Sequence, residues 1–243
     1  MISLKDIYKT YQGEAVLKGL SLELAEQQTL SILGKSGCGK STLLKIMAGL
    51  EEADSGSFQI HDEDLFALPP QKREVVYLSQ EPLLFPHLNV AENLAFGLKI
   101  RKLPNQEIND KVKQMATQID LSEHLLKRPH QLSGGQKQRV NFGRALIINP
   151  KVLLLDEPFG SLDANTRHEM QELFKSISTT YNITALFVTH DLKEALLMGD
   201  QVATMQTGLL KVYSSIEAFI NAPESGAQAE INFWNQFKTE IKS

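Results

Sequence analysis

The run Gly34-Lys35-Ser36-Gly37-Cys38-Gly39-Lys40-Ser41-Thr42 fits the pattern G-x-x-x-x-G-K-[ST] without a mismatch. Each residue type there has a chemical reason. Gly34, Gly37 and Gly39 open backbone conformations closed to other residues and let the chain approach phosphate oxygens. The loop N–H groups and the start of the following helix offer an anion several donors and a favourable dipole. Lys40 adds a point charge for β- and γ-phosphates, and the Ser41 hydroxyl is a hard ligand for Mg²⁺.

Further groups with chemical potential stand elsewhere. Gln131-Leu-Ser-Gly-Gly-Gln-Lys-Gln-Arg139 holds a capping box, Ser133 with Gln136 three residues on. Capping requires only those two residues, whereas Gly134 and Gly135 each cost about 1 kcal/mol in a helix relative to alanine. Bare backbone at a helix start suits a second anion contact. Asp156-Glu157 follows four apolar residues: Asp156 can hold Mg²⁺ and Glu157 can polarise an attacking water. Among the six histidines, His190 alone ends a buried-strand pattern. Read singly, these residues keep ordinary alternatives: Tyr11 suits core or turn packing, Gln80 the surface, Asp156-Glu157 a turn or helix cap, and His190 a structural role.

The elements that must position these groups are legible. Thr29-Leu-Ser-Ile-Leu33 reads as a buried strand before the glycine loop, and Leu43, Leu44, Met47 and Leu50 recur behind it at helical spacing. Leu20, Leu22 and Leu24 alternate with polar residues as a half-buried antiparallel strand, with Ile2 and Leu4 as its partner. Asp54 to Ser57 is turn chemistry, Phe58 and Ile60 a short strand, and His61 to Asp64 a polar turn. Pro69-Pro70 precedes a strand over 75–78 that delivers Gln80 at its C-terminal end, where open α/β sheets place ligand contacts. From Pro82 to Pro129 the chain turns helical, with Ile108, Val112, Met115 and Ile119 on one face. Val152 to Leu155 predicts a central parallel strand buried on both faces. Asp163 caps the helix bearing Met170, Leu173, Phe174 and Ile177. Thr184 to Val188 is another buried strand, Asp191 to Glu194 a capping box, and Val202 to Tyr213 a hairpin around Thr207-Gly208. The tail from Ser214 reads as two short helices around Pro223.

With 243 residues and a net charge of −4, the chain suits one α/β domain and disfavours broad nucleic-acid binding. The single cysteine, Cys38, permits no intrachain disulfide and fits a reducing compartment. The first residues lack a signal-peptide apolar region, and no run approaches 18 apolar residues, so a membrane role needs another chain.

Taken together, residues 2 to 213 resemble the ATP-binding subunit of an ABC transporter. Gly34 to Thr42 is similar to the Walker A loop, Gln80 to the Q-loop glutamine, and Leu132 to Gln136 to the signature. Val152 to Pro158 resembles Walker B, Gly160 to Asp163 the D-loop and His190 the switch histidine, while Tyr11 stands where the family stacks an aromatic on adenine. The resemblance implies a P-loop fold with a mixed, mainly parallel central sheet and an N-terminal antiparallel β subdomain. It also implies one domain over 1–243 with a helical subdomain inserted at 82–140 and a helical tail at 214–243. The implied cofactors are ATP and Mg²⁺: Gly34 to Thr42 and Tyr11 bind the nucleotide, and Ser41, Gln80 and Asp156 hold the metal. Glu157 orients water, His190 contacts the γ-phosphate and holds the site together, and Gln80 counts with them as a catalytic residue. Ser133, Gly134, Gly135, Gln136 and Asp163 of a second copy close a sandwich of two nucleotides.

Gln80 to Leu98 resembles the importer branch, which carries sugars, polyamines, sulfate, molybdate and ferric iron. That branch implies a permease docked in the groove there, a solute-binding protein, and peripheral attachment at the cytoplasmic face of a bacterial or archaeal membrane. The expected cargo is an inorganic ion, a polyamine or a similar small solute. Many of those relatives carry a C-terminal regulatory barrel, which a chain of this length is expected to leave out. Asn141-Phe142-Gly143 and Glu26-Gln27-Gln28 depart from the usual small residues and Gly-Glu turn. The alternatives are a soluble ABC protein acting on ribosomes or DNA, opposed by the lack of a second cassette or long coiled coil, and a P-loop kinase or GTPase, opposed by the signature.

Overall fold

Alternation of apolar and polar residues builds the first sheet. Strand β1 (Ile2–Tyr11) pairs antiparallel with β2 (Glu14–Leu24), setting Ile2 against Leu24 and Leu4 against Leu22. Leu20, Leu22 and Leu24 are buried while Ser21 and Glu23 face solvent, as period-two patterning requires. Strand β3 (Thr29–Leu33) then leads through the glycine loop into helix α1 (Lys40–Ala48). The helix is shorter than its apolar spacing predicts. Gly49 takes a left-handed C-cap at φ 75°, and Leu50, expected on the buried face, is 61 % exposed beyond it.

The expected turn over 54–57 is also shorter. Asp54 alone makes it, accepting from the Thr10 N–H at 2.6 Å, and Ser55 already opens β4 (Ser55–Ile60). Gly56 enters that strand at φ 112° because a Cβ there would lie 2.6 Å from the Asp6 carbonyl oxygen. With the two-residue β5 (Glu63–Asp64), the first sheet runs β2-β1-β4-β5.

The structure is a computed structural model that describes residues 1–241, with side chains to Trp234; Lys242 and Ser243 of the expected tail lie outside the described residues. Two compact units divide the chain, Met1–Pro69 with Leu186–Ser243, and Pro70–Ala185. The second unit opens with a 3₁₀ turn at Pro70–Lys72 and strand β6 (Val75–Leu78). Three helices follow: α2 (Val90–Ile100), α3 (Asn105–Gln118) and α4 (Gly134–Leu146). Strand β7 (Val152–Asp156), helix α5 (Ala164–Tyr181) and strand β8 (Thr184–Thr189) come next, and β8 carries the chain back to the first unit. β6 and β7 are parallel from Val75–Val152 to Leu78–Leu155, and every residue of β7 is buried, as its unbroken apolar run predicts. Ile108, Val112, Met115 and Ile119 are all buried. Gly143 lets α4 approach them: a Cβ there would lie 2.8 Å from both Ile119 and Leu94.

In the first unit β8 neighbours β3. Helix α6 (Leu192–Met198) precedes β9 (Gln201–Gln206), which runs parallel to β3, and β10 (Leu209–Val212) turns back along it. The capping box expected at Asp191 is half formed. Asp191 accepts from the Glu194 N–H at 3.1 Å, but the buried Glu194 carboxylate turns to the Thr189 hydroxyl at 2.8 Å. Helix α7 (Ile216–Asn221) is short, whereas α8 (Ala227–Ile241) runs for 15 residues, longer than expected. Phe219 and Ala227 pack with Leu192, Val202 and Tyr213, and the Lys193 ammonium lies 3.4 Å from the Trp234 ring centroid.

One polar side chain holds the segment between β6 and α2. Asn93 has no exposure; its amide oxygen accepts from the Phe85 N–H at 2.9 Å. Its amide nitrogen donates to the carbonyls of Phe85, Leu88 and Asn89 at 3.2, 3.1 and 3.0 Å. Asn93→Ala strips these groups of their partner without letting water in, so we expect a loss of about 2–4 kcal/mol, read as a lower urea midpoint at unchanged slope.

Candidate functional site

The phosphate-loop residues gather in the first unit. The Gly34 N–H donates to the Thr189 carbonyl at 3.2 Å, and a Cβ on Gly34 would lie 2.6 Å from the Met205 carbonyl oxygen, so only glycine fits between these strands. Gly37 and Gly39 take φ of 81° and 110°. Gly39 is the N-cap of α1, and no side chain caps that helix. Lys40, 5 % exposed, curls under the loop and donates from Nζ to the carbonyls of Gly34 at 2.7 Å and Lys35 at 3.1 Å. Lys35, Ser36 and Ser41 are exposed, and Cys38 and Thr42 are half-buried.

A cleft of about 1050 Å³ opens against this loop. Gly34 to Cys38, His190, Val16 and the turn of the β9–β10 hairpin line it, and so do Ser225 and Glu230 from the tail, for which sequence reasoning had no role. Tyr11 lies beside Thr42, with its ring partly exposed and its hydroxyl bonded to the Glu51 carboxylate. The Glu51 bond, helped by burial, holds the phenol pKa above its usual value, and the Thr42 hydroxyl opposes this weakly. The Lys9 ammonium stands 5.1 Å from the ring centroid.

In the second unit the strand ends carry the acid chemistry. Asp156 closes β7 with 7 % exposure, and the Tyr77 hydroxyl donates to its Oδ2 at 2.7 Å. Burial and then the Asp156 carboxylate push the Tyr77 phenol upward, so it stays protonated. Glu157 follows at once, its backbone left-handed at φ 45°. Glu157 and Gln80 both lie near Gly160: a Cβ built there would lie 3.4 Å from Gln80 Nε2 and 4.0 Å from Glu157 Oε2.

The helix tip of α4 lies in the same unit. Ser133 and Gln136 form the expected reciprocal cap at 3.2 and 3.0 Å. Gly134 is exposed with nothing within 4 Å of its Cβ position, whereas a Cβ on Gly135 would meet Thr166 Cγ2 at 2.5 Å. Thr166 is itself fixed, donating from Oγ1 to Asp163 at 2.6 Å. That bond, with the backbone donors of Thr166 and Asn165, holds the Asp163 carboxyl below its usual range. Sequence reasoning missed three supports here: Tyr77, Thr166 and Gln138. Gln138 is buried and donates to the Pro158 carbonyl at 2.8 Å, tying α4 to the turn after β7. The apolar neighbours of Tyr77 and the polar neighbours of Gln138 in sequence give no sign of these long-range bonds.

A family profile described as ABC transporter matches residues 17–160. The chain is 42 % identical over 230 residues to a spermidine/putrescine import ATP-binding protein of Acetivibrio thermocellus, covering 95 % of this chain and 65 % of that protein. It is 43 % identical over 208 residues to an sn-glycerol-3-phosphate import ATP-binding protein of Cereibacter sphaeroides, covering 86 % and 60 %. It thus spans roughly two-thirds or less of the length of these curated relatives. A solved structure of the ATP-binding cassette MJ0796, a dimer in a post-hydrolysis state bound to ADP and Pi, superposes with a TM-score of 0.77 at 29 % identity. That match covers 87 % of this chain and 97 % of the other.

The two adjacent glycines of the helix tip face different surroundings, so their substitution separates them. Gly134→Ala meets open space and is expected to leave thermal stability unchanged. Gly135→Ala must displace the braced Thr166 and is expected to cost about 1–3 kcal/mol, seen as a lower melting temperature for the second variant only.

Proposed function

The chain belongs to the ABC transporter family, and we propose that it is an ATP-hydrolysing subunit that drives solute movement through a permease made by other chains. The observation that carries this reading is the presence of two glycine-bare helix starts in one chain. One follows the Lys40 loop without a side-chain cap, and the other is the Ser133–Gly135 tip with Gly134 open to solvent. One cradle and one lid, presented by two copies, clasp a triphosphate from both sides. The dimeric, nucleotide-bound state named for the MJ0796 cassette supports that pairing.

In this reading Gly34 to Thr42 hold the phosphates, and Lys40 exchanges its loop carbonyls for phosphate oxygens. Tyr11 lies flat against adenine. Ser133, Gly134, Gly135, Gln136 and Asp163 of a second copy approach the same nucleotide. Ser41, Gln80 and Asp156 are the ligands offered to Mg²⁺. Their oxygen atoms are hard donors, few in number, as suits an ion that takes the rest of its shell from phosphate and water. Among the described residues no three His, Cys, Asp or Glu side chains cluster to cage a metal unaided. The ion supplies charge neutralisation at the β- and γ-phosphates. Glu157 orients water for attack on the γ-phosphorus, the bond to the β-phosphate oxygen breaks, and ADP and phosphate leave. The nearness of Gln80 to Glu157 beside Gly160 supports a catalytic role for Gln80, and the place of His190 on the loop cleft supports a γ-phosphate contact.

Among the described residues no helix is long and apolar enough to cross a membrane. The proposed attachment is peripheral, at the cytoplasmic face, with permease subunits received along Gln80 to Leu98 and a solute-binding protein delivering cargo. The relatives named for import support that direction, and their cargoes support a small solute such as a polyamine. Identities of 42 % and 43 % to proteins named for different cargoes leave the choice to the membrane chains.

Glu157→Gln is expected to slow ATP turnover by about two orders of magnitude or more, each tenfold being about 1.4 kcal/mol, and to accumulate an ATP-bound dimer on size exclusion. A variant that stays monomeric with Mg-ATP and turns over at the wild-type rate rejects the reading. Tyr11→Ala is expected to weaken ATP binding by about 1–3 kcal/mol in a calorimetric titration, and unchanged affinity removes Tyr11 from the base site.

A further inference from the structure

Tyr77 is half-buried on β6, and its hydroxyl makes a polar bond at the sheet's opening. β6 and β7 run parallel with Tyr77 beside Leu154. Side chains two apart on a strand share a face, so Leu154 and Asp156 lie on one side of β7 and Tyr77 stands alongside them. From that position a tyrosine is long enough to lean toward the C-terminal end of the neighbouring strand. Its hydroxyl meets Asp156 Oδ2 at 2.7 Å.

A carboxylate with 7 % exposure requires hydrogen-bond donors, and a neutral phenol is a short, strong one. Asp156 is the last residue of β7, and Glu157 has already left the strand at φ 45°. Beyond Asp156, then, the strand no longer fixes side-chain direction. The Tyr77 bond acts on this last carboxylate from the neighbouring strand.

We infer that Tyr77 is a positioning residue for the metal site: by holding Asp156 Oδ2 it sets the rotation of the carboxylate that Mg²⁺ meets when it arrives with the nucleotide. This rests on the reading of Asp156 as a metal ligand proposed above. Tyr77 touches neither metal nor nucleotide and acts through Asp156. Partners that orient a ligating carboxylate typically change metal affinity or activity by about 10–100-fold when lost. Removing the hydroxyl alone, with the ring kept, separates this role from packing.

The experiment measures ATP affinity of the full chain and its Tyr77→Phe variant by calorimetry, in EDTA and across a Mg²⁺ titration, beside their thermal melts. The expected result is equal affinity in EDTA and a half-saturating Mg²⁺ concentration raised about tenfold in the variant. A packing defect lowers the melting temperature and leaves the Mg²⁺ dependence in place, so matching Mg²⁺ curves overturn the inference. If the wild-type chain itself binds ATP without any Mg²⁺ dependence, the metal-site reading falls first and takes the inference with it. Should Tyr77→Phe fail to fold, a crystal structure of the wild-type chain with Mn²⁺ and a non-hydrolysable nucleotide decides: Tyr77 bonded to a metal-ligating Asp156 supports the inference, and Tyr77 turned away overturns it.

Discussion

A buried ammonium ion must find acceptors, and around Lys40 that requirement shapes the loop. An ion with 5 % exposure would be costly if left unmatched, and it is matched by the carbonyls of Gly34 and Lys35. The first residues of the loop are thereby tied to the first residue of α1, and the segment is closed before any ligand arrives. Less of the cost of ordering then falls on the binding step. The glycines make the closure sterically possible. Gly34 passes between the Met205 carbonyl and the end of β8, and Gly39 turns the chain into α1 at a φ that other residues rarely adopt.

The acid-bearing strand end shows a comparable economy. β7 is buried along its whole length and stops on a carboxylate, and the next residue reverses the backbone hand. A left-handed glutamate costs conformational energy, of the order of 1–3 kcal/mol for such positions. It persists where the surroundings hold it, and here Gln138 reaches from α4 to the Pro158 carbonyl one residue further on. The Glu157 carboxylate and the Gln80 amide both lie close to Gly160.

Much of this was legible in the sequence where the signal was local. The capping box at Ser133, the cap at Asp163 and the buried run before Asp156 each depend on residues within a few positions of one another, and each forms. The strand, glycine loop and helix around Lys40 follow the same rule. Expectations failed where a single glycine or a distant partner outweighed the local pattern. Gly49 ended α1 before Leu50, close approach to Asp6 drew Gly56 into a strand, and Thr189 took the carboxylate that a capping box would have used at Glu194. The bonds made by Tyr77, Asn93 and Gln138 span 79, 4 to 8, and 20 positions, and nothing in the adjacent residues announces any of them.

The Asn93 staple has an evolutionary consequence. The contour of residues 85–89 is maintained from inside by one side chain with no exposure, while an outward residue nearby, Leu83, is 66 % exposed. The shape of the segment is thus written in one inner residue. Copies of such a chain can change at outer positions such as Leu83 while the inner asparagine keeps the backbone of residues 85–89 in place.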